Sequence, residues 1–265
     1  MIVTTSLSSM PEDVSSACRF ANEIAGNYVP REGASLVEFQ QKYNVTRFVV
    51  IEKGQPVVYQ DKERFFFHRG MAELRLLNFV RSGHDPMVAA MGLETGMTVL
   101  DCTLGLAADA LVAAFAVGVS GRVLGVETSP VVASLTRWGL TELSSDRSDA
   151  RPVTKQAARC IEAIRADHLE YLTGLADRAF DVVYFDPMFR RPKQASAGIQ
   201  PLRNFADSRA LTIEAIRQAM RVARRRVVVK EAHGSREFSR LGMQQFGGGR
   251  YSPIQYGILY REETS

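Results

Sequence analysis

The sequence of 265 residues has few of the residues that build metal centres or disulfide frameworks. It contains three cysteines and four histidines, and their scattered positions do not give the close spacing of metal ligands. We therefore predict no structural metal. An odd number of widely spaced cysteines argues against a disulfide-stabilised secreted fold and is typical of reduced thiols in a cytoplasmic protein.

Long apolar runs are also lacking. No stretch approaches the roughly 20 apolar residues of a membrane-spanning helix, and the N-terminal segment MIVTTSLSSMPED has neither the basic nor the apolar region of a signal peptide. We expect a cytoplasmic protein with no membrane partner. The formal net charge of +4 at pH 7 is mildly basic, which permits a nucleic-acid partner without requiring one.

The pattern of hydrophobic residues, which make up 46% of the chain, changes near position 70. Residues 1–70 show helical periodicity followed by three short apolar runs, which predicts a small α+β subdomain. Within residues 71–265, strand-like runs alternate with helical patterns from residue 97 onward, which predicts a parallel sheet covered on both faces. The last two runs, 243–246 and 254–260, predict a C-terminal antiparallel hairpin.

Individual elements of the main domain follow from the same periodicities. We expect strands over residues 98–102, 122–126, 160–165, 181–185 and 226–230, and helices over residues 107–117, 130–143 and 207–222. The polar stretch 144–155 is expected to be irregular.

One strand, within FDVVYFDPMF at residues 180–189, ends in a carboxylate, a proline and an aromatic ring. The strand would deliver Asp186 to the edge of the sheet, and Pro187 would stop the strand and stiffen the backbone. A carboxylate and backbone carbonyls can accept hydrogen bonds from a planar N–H group while the Phe189 ring stacks on it. On these residues alone, a proline turn beside a core phenylalanine is the simpler interpretation.

Three further predicted strands also lead into acidic residues. The first ends in Asp101 before a turn at Gly105, the second in Glu127, and the third precedes Asp167 and His168. Ligands of open α/β sheets bind at the carboxyl ends of the strands, and an acidic residue about 20 positions past the glycine turn suits a ribose diol. Asp167 and His168, after the third strand, would meet the edge of an adenine.

Acidic strand ends argue against a pyrophosphate dinucleotide. The turn has one glycine rather than three, which also disfavours a nicotinamide dehydrogenase. In addition, Asp101 and Asp109 would repel phosphate. A cationic nucleoside is the better fit, and S-adenosylmethionine carries both a sulfonium and an ammonium group.

With these motifs the sequence resembles class I S-adenosylmethionine-dependent methyltransferases. Within them it resembles the small-subunit ribosomal RNA guanine-N2 methyltransferases whose fourth motif is DPMF. The matching stretches, within residues 97–260, are LDCTLGLAADA, GVETSPVVASL, ADHLEYL, FDVVYFDPMF and RRVVVK. The resemblance implies a Rossmann-like fold: a mostly parallel seven-stranded sheet with a C-terminal antiparallel hairpin, beside the small N-terminal α+β extension.

Together, the residues and the resemblance predict three groups of site residues. The cofactor-binding group is Asp101, Thr103, Gly105, Ala108, Asp109, Glu127, Thr128, Asp167, His168 and Asp186. The catalytic group is Asp186, Pro187, Met188 and Phe189, and the RNA-binding group is Arg190, Arg191 and Lys193. Ala107 departs from the family pattern, which has glycine there. Lys230, at the end of the fifth strand, could approach the site, although a surface lysine is the simpler interpretation.

The predicted reaction is methyl transfer to the exocyclic N2 of a guanine in ribosomal RNA. One alternative is a methyltransferase that acts on a protein or small-molecule nitrogen, because the DPMF chemistry suits any planar nitrogen. Another is a non-catalytic protein that binds a nucleoside or RNA, which Ala107 alone favours. The oligomeric state does not follow from the sequence.

Overall fold

A computed structural model describes residues 1–60, 63–187, 205, 207, 209–249 and 252–261. Its N-terminal elements are β1 (Ile2–Thr5), α1 (Pro11–Glu23), β2 (Asn27–Tyr28), α2 (Leu36–Tyr43), β3 (Arg47–Glu52), β4 (Gln55–Gln60) and β5 (Glu63–Phe66). The next are α3 (Gly70–Ser82), α4 (Pro86–Met91), β6 (Thr98–Asp101), α5 (Ala108–Val117), β7 (Arg122–Glu127), α6 (Pro130–Ser144), α7 (Pro152–Arg159) and β8 (Ile161–Arg165). The last are α8 (His168–Gly174), β9 (Phe180–Phe185), α9 (Ile213–Val222), β10 (Ala223–Ala232), α10 (Arg236–Arg240), β11 (Gln245–Gly247) and β12 (Ile254–Tyr260).

The larger sheet has seven strands in the order β11-β12-β10-β9-β6-β7-β8. Strands β6 to β10 run parallel, and β12 is antiparallel to both β10 and β11. This confirms the predicted Rossmann-like sheet with its C-terminal hairpin. Because the chain moves outward from β6 to β8 and then returns to β9 beside β6, the strand order reverses at β6. Ligands of such sheets bind at the carboxyl ends of the strands at this point.

Both faces of the central strands β6, β7 and β9 are buried, which explains their nearly continuous apolar sequences. Val99 of β6 and Val182 of β9 face the core formed with α3, α4, α5 and α7. Their neighbours Leu100 and Val183 face the core formed with α8, α9 and α10. This alternation is the two-residue period of a strand. Among the described helices, none has the length and apolar character needed to cross a bilayer.

The smaller sheet has the order β2-β1-β3-β4-β5 and packs on α1. Its core, which includes Phe20 and Val49, also contains Val131 and Leu135 of α6. The small sheet therefore shares a core with a helix of the larger sheet. The subdomain boundary at residue 70 stays a prediction. The sequence predicted β3, β4 and β5 but missed β1 and β2, because these two short strands are stabilised by pairing that is distant along the chain.

Three other element predictions need correction. The stretch 144–155 is not irregular throughout, since α7 begins at Pro152 and buries Thr154. The predicted helix at 207–222 begins later, at Ile213, because the Thr212 side chain caps it by accepting a hydrogen bond from the Ala215 N–H at 3.0 Å. Helix α8 was missed, although Asp167 is a good N-cap residue.

Candidate functional site

Asp186 lies at the carboxyl end of β9, next to the strand where the order reverses. Its side chain is 31% exposed, and its Oδ2 accepts a hydrogen bond from Lys230 Nζ at 2.7 Å. Its backbone N–H donates to the Thr103 Oγ1 at 2.6 Å. Pro187 follows and is half-buried. The remaining predicted catalytic and RNA-binding residues, Met188, Phe189, Arg190, Arg191 and Lys193, lie outside the described residues.

Thr103 connects Asp186 to the end of β6. Its backbone N–H donates to the Asp101 Oδ1 at 3.0 Å, and its hydroxyl lies 3.4 Å from the same oxygen. Asp101 is buried. Burial raises the pKa of Asp101 to about 8 despite the Thr103 hydrogen bond, and the nearby carboxylates of Asp109 and Asp186 add to the shift. A positively charged neighbour would therefore stabilise the ionised form of this carboxyl group.

The glycine turn after β6 is tied to the end of β7. The Gly105 N–H donates to Glu127 Oε2 at 3.1 Å, and the Ser129 N–H donates to Glu127 Oε1 at 2.8 Å. Glu127 is buried, and burial raises its pKa against these hydrogen bonds. The Thr128 hydroxyl donates to the Ala166 carbonyl at 3.3 Å and so links β7 to the segment after β8.

Ala107 has the backbone conformation that the family's glycine would supply. Its φ is +60° and its side chain is fully buried just before α5 begins at Ala108. A left-handed conformation costs a residue with a Cβ about 1–2 kcal/mol. Ala107 therefore adopts, at that cost, a left-handed conformation that glycine adopts without strain.

Asp167 and His168 lie where β8 leads into α8. Asp167 Oδ1 caps that helix by accepting from the Leu169 N–H at 2.9 Å, and its Oδ2 accepts from Arg209 Nη2 at 2.5 Å. Although burial acts in the opposite direction, Arg209 and the capping bonds lower the pKa of Asp167. The His168 ring lies edge-on to Phe185 at 5.9 Å, and burial lowers the pKa of His168, which favours the neutral ring.

The same corner is the place among the described residues where a metal could be held. Asp167, His168 and Asp207 each offer one ligand atom, and these atoms lie within 4.8 Å of one another. Both carboxylates already form ion pairs with Arg209. The Arg209 guanidinium thus already balances the charge of the two carboxylates, as a bound metal ion would.

A buried ionic network, which was not predicted from the sequence, surrounds Asp109. Asp109 Oδ2 accepts from Tyr184 Oη at 2.7 Å and from Lys230 Nζ at 2.8 Å, while its Oδ1 contacts Arg75. Lys230 and Arg75 lower the pKa of Asp109 although burial alone would raise it. Arg75 also holds Asp85, the N-cap of α4, at 3.1 Å. Asp109 thus contacts protein side chains through both oxygens.

Of the two interpretations of Lys230, a surface lysine or a lysine that approaches the site, the first is wrong, because the side chain is 18% exposed and forms ion pairs with Asp109 and Asp186. The strand period could have revealed this. Val228 of β10 faces the core on the α5 side of the sheet, and Lys230, two residues later, faces the same side.

Carboxylates dominate the edge formed by the strand ends. Burial raises the pKa of Asp101, Glu127 and Asp186, because ionised oxygens lose hydration there. A ligand that carries positive charge and donor hydroxyl or amine groups relieves that penalty. The residues present therefore fit a cationic nucleoside better than a pyrophosphate.

Comparison with known proteins places this site in a family. Residues 43–241 match a family model described as "Putative SAM-dependent methyltransferase". The chain is 36% identical over 259 residues to the uncharacterized protein YpiP of Bacillus subtilis, which covers 97% of this chain and 98% of that one. It is 35% identical over 146 residues to ribosomal RNA small subunit methyltransferase J of Shewanella amazonensis, which spans only 53% of this chain and 56% of that one. The solved structure of the SAM-dependent methyltransferase NGO1261 from Neisseria gonorrhoeae has the same fold, with a TM-score of 0.67 at 17% identity over 100% of this chain and 98% of that one.

Proposed function

Since this chain belongs to the S-adenosylmethionine-dependent methyltransferases, with S-adenosylmethionine as its cofactor, we propose that it methylates the exocyclic N2 of a guanine in ribosomal RNA. The observation that carries this proposal is the Asp186-Pro187 turn at the end of β9, where a carboxylate lies 2.7 Å from Lys230. The relative from Shewanella amazonensis, which is named for ribosomal RNA, supports the substrate class over half of the chain.

The strand-end residues hold the cofactor in this proposal. S-adenosylmethionine, when bound, supplies an electrophilic methyl group on a sulfonium. Glu127 accepts hydrogen bonds from the ribose hydroxyls at the acceptor positions that its two backbone donors leave free. Asp167 and His168 meet the adenine edge, and Asp101 faces the positively charged amino acid end. Thr103, Gly105, Ala108 and Thr128 line the turns between these side chains.

Asp186 activates the substrate amine. The lone pair of a guanine amine delocalises into the ring, which makes the nitrogen a weak nucleophile. A carboxylate that accepts an N–H hydrogen bond favours the attacking geometry and stabilises the positive charge that develops on nitrogen. The Pro187 carbonyl is the second acceptor. Most of the remaining acceleration comes from alignment of the reacting atoms within about 3–3.5 Å.

Three predictions of the sequence stay predictions. They are base stacking by Phe189, the Met188 carbonyl as the alternative to that of Pro187 for accepting the amine N–H, and phosphate contacts by Arg190, Arg191 and Lys193. Stacking of a base on an aromatic ring is worth roughly 1–3 kcal/mol. Phosphate contacts would make RNA binding weaken steeply with salt.

The small sheet contributes to the substrate side of the site in this proposal. Phe205 lies 18 positions beyond Pro187 in the sequence. Its ring lies 5.2 Å from that of Phe65 on β5, and the Arg47 guanidinium of β3 lies 5.6 Å from the Phe205 ring centroid. Phe205 therefore contacts the small sheet, which suits a role of that sheet in orienting RNA.

The test is methyl transfer from tritiated S-adenosylmethionine to small ribosomal subunits, or to free ribosomal RNA, from a strain that lacks the protein. We expect label to be recovered as N2-methylguanosine. At saturating cofactor, Asp186→Asn should lower the rate by about 10²–10³-fold, the usual cost of removing a preorganised electrostatic group. Asp146→Asn is the matched control, because that carboxylate is 96% exposed.

Other outcomes separate the alternatives. Label in protein or in a small molecule would replace the RNA substrate while keeping methyl transfer. Cofactor binding without transfer to any fraction would indicate a binding protein. Equal rates for the two aspartate variants would remove Asp186 from the catalytic role.

A further inference from the structure

We propose that Lys230 is a positioning residue, which holds the Asp186 carboxylate in place as a hydrogen-bond acceptor and uses Asp109 as its anchor. This inference rests on the proposed function, in which Asp186 is the catalytic group. The Lys230 ammonium lies 2.7 Å from Asp186 Oδ2 and 2.8 Å from Asp109 Oδ2. One side chain thus joins the ends of β9 and β10 to the first turn of α5.

The anchor is itself fixed from three sides. Tyr184 donates to Asp109 Oδ2 at 2.7 Å, Arg75 contacts Oδ1, and Asp109 is buried in the first turn of α5. If Lys230 moved away, a buried carboxylate would lose one of its cationic partners, which is strongly unfavourable. The ammonium therefore has one preferred position, and the Asp186 oxygen that it contacts is oriented with it.

The charges that face Asp186 come from several elements. Lys230 lies on β10, Asp109 on α5 and Asp101 at the end of β6. Among the described residues, the network also includes Tyr184 on β9, Tyr256 on β12, Arg75 on α3 and Asp85 before α4. Burial raises the pKa of Asp186 to about 6, Lys230 opposes that shift, and Asp109 reinforces it. Lys230 therefore keeps the carboxylate ionised at neutral pH.

The ionised state matters because a carboxylate carries negative charge and accepts through both oxygens, whereas a carboxylic acid has an O–H donor in place of part of that acceptor capacity. The amine nitrogen would form a bond to the methyl carbon while the bond from that carbon to the sulfonium sulfur breaks. The electron pair of the broken bond would go to sulfur, which leaves as a neutral thioether, and the positive charge would pass to nitrogen. The nitrogen then gives a proton to the Asp186 carboxylate, which leaves a neutral secondary amine and a carboxylic acid. Lys230 is already an ammonium, because its two carboxylate partners raise its pKa despite burial. It has no lone pair to take the proton, so it acts only by holding Asp186.

The experiment is a pH titration of Asp186 by carbon-13 NMR, in full-length protein labelled at the aspartate side-chain carboxyls. Asp186→Asn assigns the signal, and no RNA is present. We expect Lys230→Met to raise the pKa of Asp186 by at least about one unit, a tenfold change in ionisation. Lys230→Arg keeps the charge and should restore most of the wild-type value. Asp109→Asn should lower the pKa, because it removes a negative neighbour and leaves Lys230 to Asp186 alone.

Shifts of the Asp186 pKa in opposite directions in Lys230→Met and Asp109→Asn identify the charge network. If the two residues had a merely structural role, both variants would shift this pKa in the same direction. Lys42→Met controls for loss of a lysine whose side chain is 55% exposed. An unchanged Asp186 titration in Lys230→Met would overturn the inference. If Lys230→Met does not fold, the Asp109→Asn variant decides. A lower pKa of Asp186 in that variant supports the inference, and a higher one would overturn it. Opposite shifts without any N2-methylguanosine product would contradict the proposed function alone.

Discussion

The Gly105 N–H donates a hydrogen bond to the Glu127 carboxylate across 3.1 Å, which joins the turn after the first strand of the larger sheet to the end of the second. The second Glu127 oxygen accepts from the Ser129 N–H at 2.8 Å. A carboxylate has about four acceptor positions. Two backbone donors thus fix its orientation and leave capacity for the hydroxyls of a ribose.

Glu127→Gln should weaken cofactor binding strongly. The amide offers one acceptor oxygen instead of two, and its NH₂ group faces a backbone N–H that needs an acceptor. A hydrogen bond to a charged group is worth about 1.5–3 kcal/mol, so we expect the Kd of S-adenosylmethionine to rise by roughly 10–100-fold in calorimetric titration. Glu142→Gln on α6 is the control, because that residue is exposed. Equal affinities in the two variants would remove Glu127 from the cofactor site.

The sheet and the acidic strand ends could be predicted from the sequence because their signals are local. An apolar run that stops at an aspartate or a glutamate, followed by a helical pattern, specifies a strand and its carboxyl end without knowledge of the fold. Asp101, Glu127 and Asp186 were found in this way. The family assigned from the motifs is confirmed.

The ionic partners of these residues could not be found in the same way. Arg75 and Arg209 reach Asp109 and Asp167 from elements 34 and 42 positions away in the sequence, and such pairs depend on how helices and loops pack. Lys230 was misjudged although the strand period places it on the side of α5. A lysine at a strand end is usually exposed, and its ion pairs with Asp109 and Asp186 reverse that expectation here.

Gly139→Ala should destabilise the protein at the junction of the two sheets. A Cβ at Gly139 of α6 would lie 2.0 Å from Cγ of the Phe67 ring. Overpacking costs about 1–3 kcal/mol, and the helix propensity of alanine returns up to about 1 kcal/mol of this. Urea unfolding should show a net loss of about 1–2 kcal/mol. The control is Gly174→Ala, where a Cβ meets nothing within 4 Å. A loss no larger than in the control would mean that Phe67 can move aside.

Stability should fall as pH rises toward 8 because of Asp101. Its pKa is about 8 in the folded protein and about 3.9 in an unfolded chain. The folded state therefore holds the proton more tightly, and the unfolded state gains stability by ionising between about pH 4 and pH 8. Urea midpoints measured from pH 6 to pH 9 should decline in the wild type and decline less in Asp101→Asn. Asp146→Asn, at an exposed position, should follow the wild type. Parallel slopes in all three proteins would exclude Asp101 as the source.

Phe205→Ala should weaken the RNA step without affecting the cofactor. The Phe205 ring packs on that of Phe65 in the small sheet, with 5.2 Å between the ring centroids. An aromatic pair contributes about 0.5–1.5 kcal/mol, so we expect a roughly two- to tenfold rise in the KM of ribosomal RNA and an unchanged Kd of S-adenosylmethionine. Phe246→Ala is a matched control, because its ring lies 5.2 Å from Phe238 at the hairpin edge of the larger sheet. If both variants raised the KM equally, the effect would reflect general loss of packing. A rise confined to Phe205→Ala would assign the small sheet to substrate orientation.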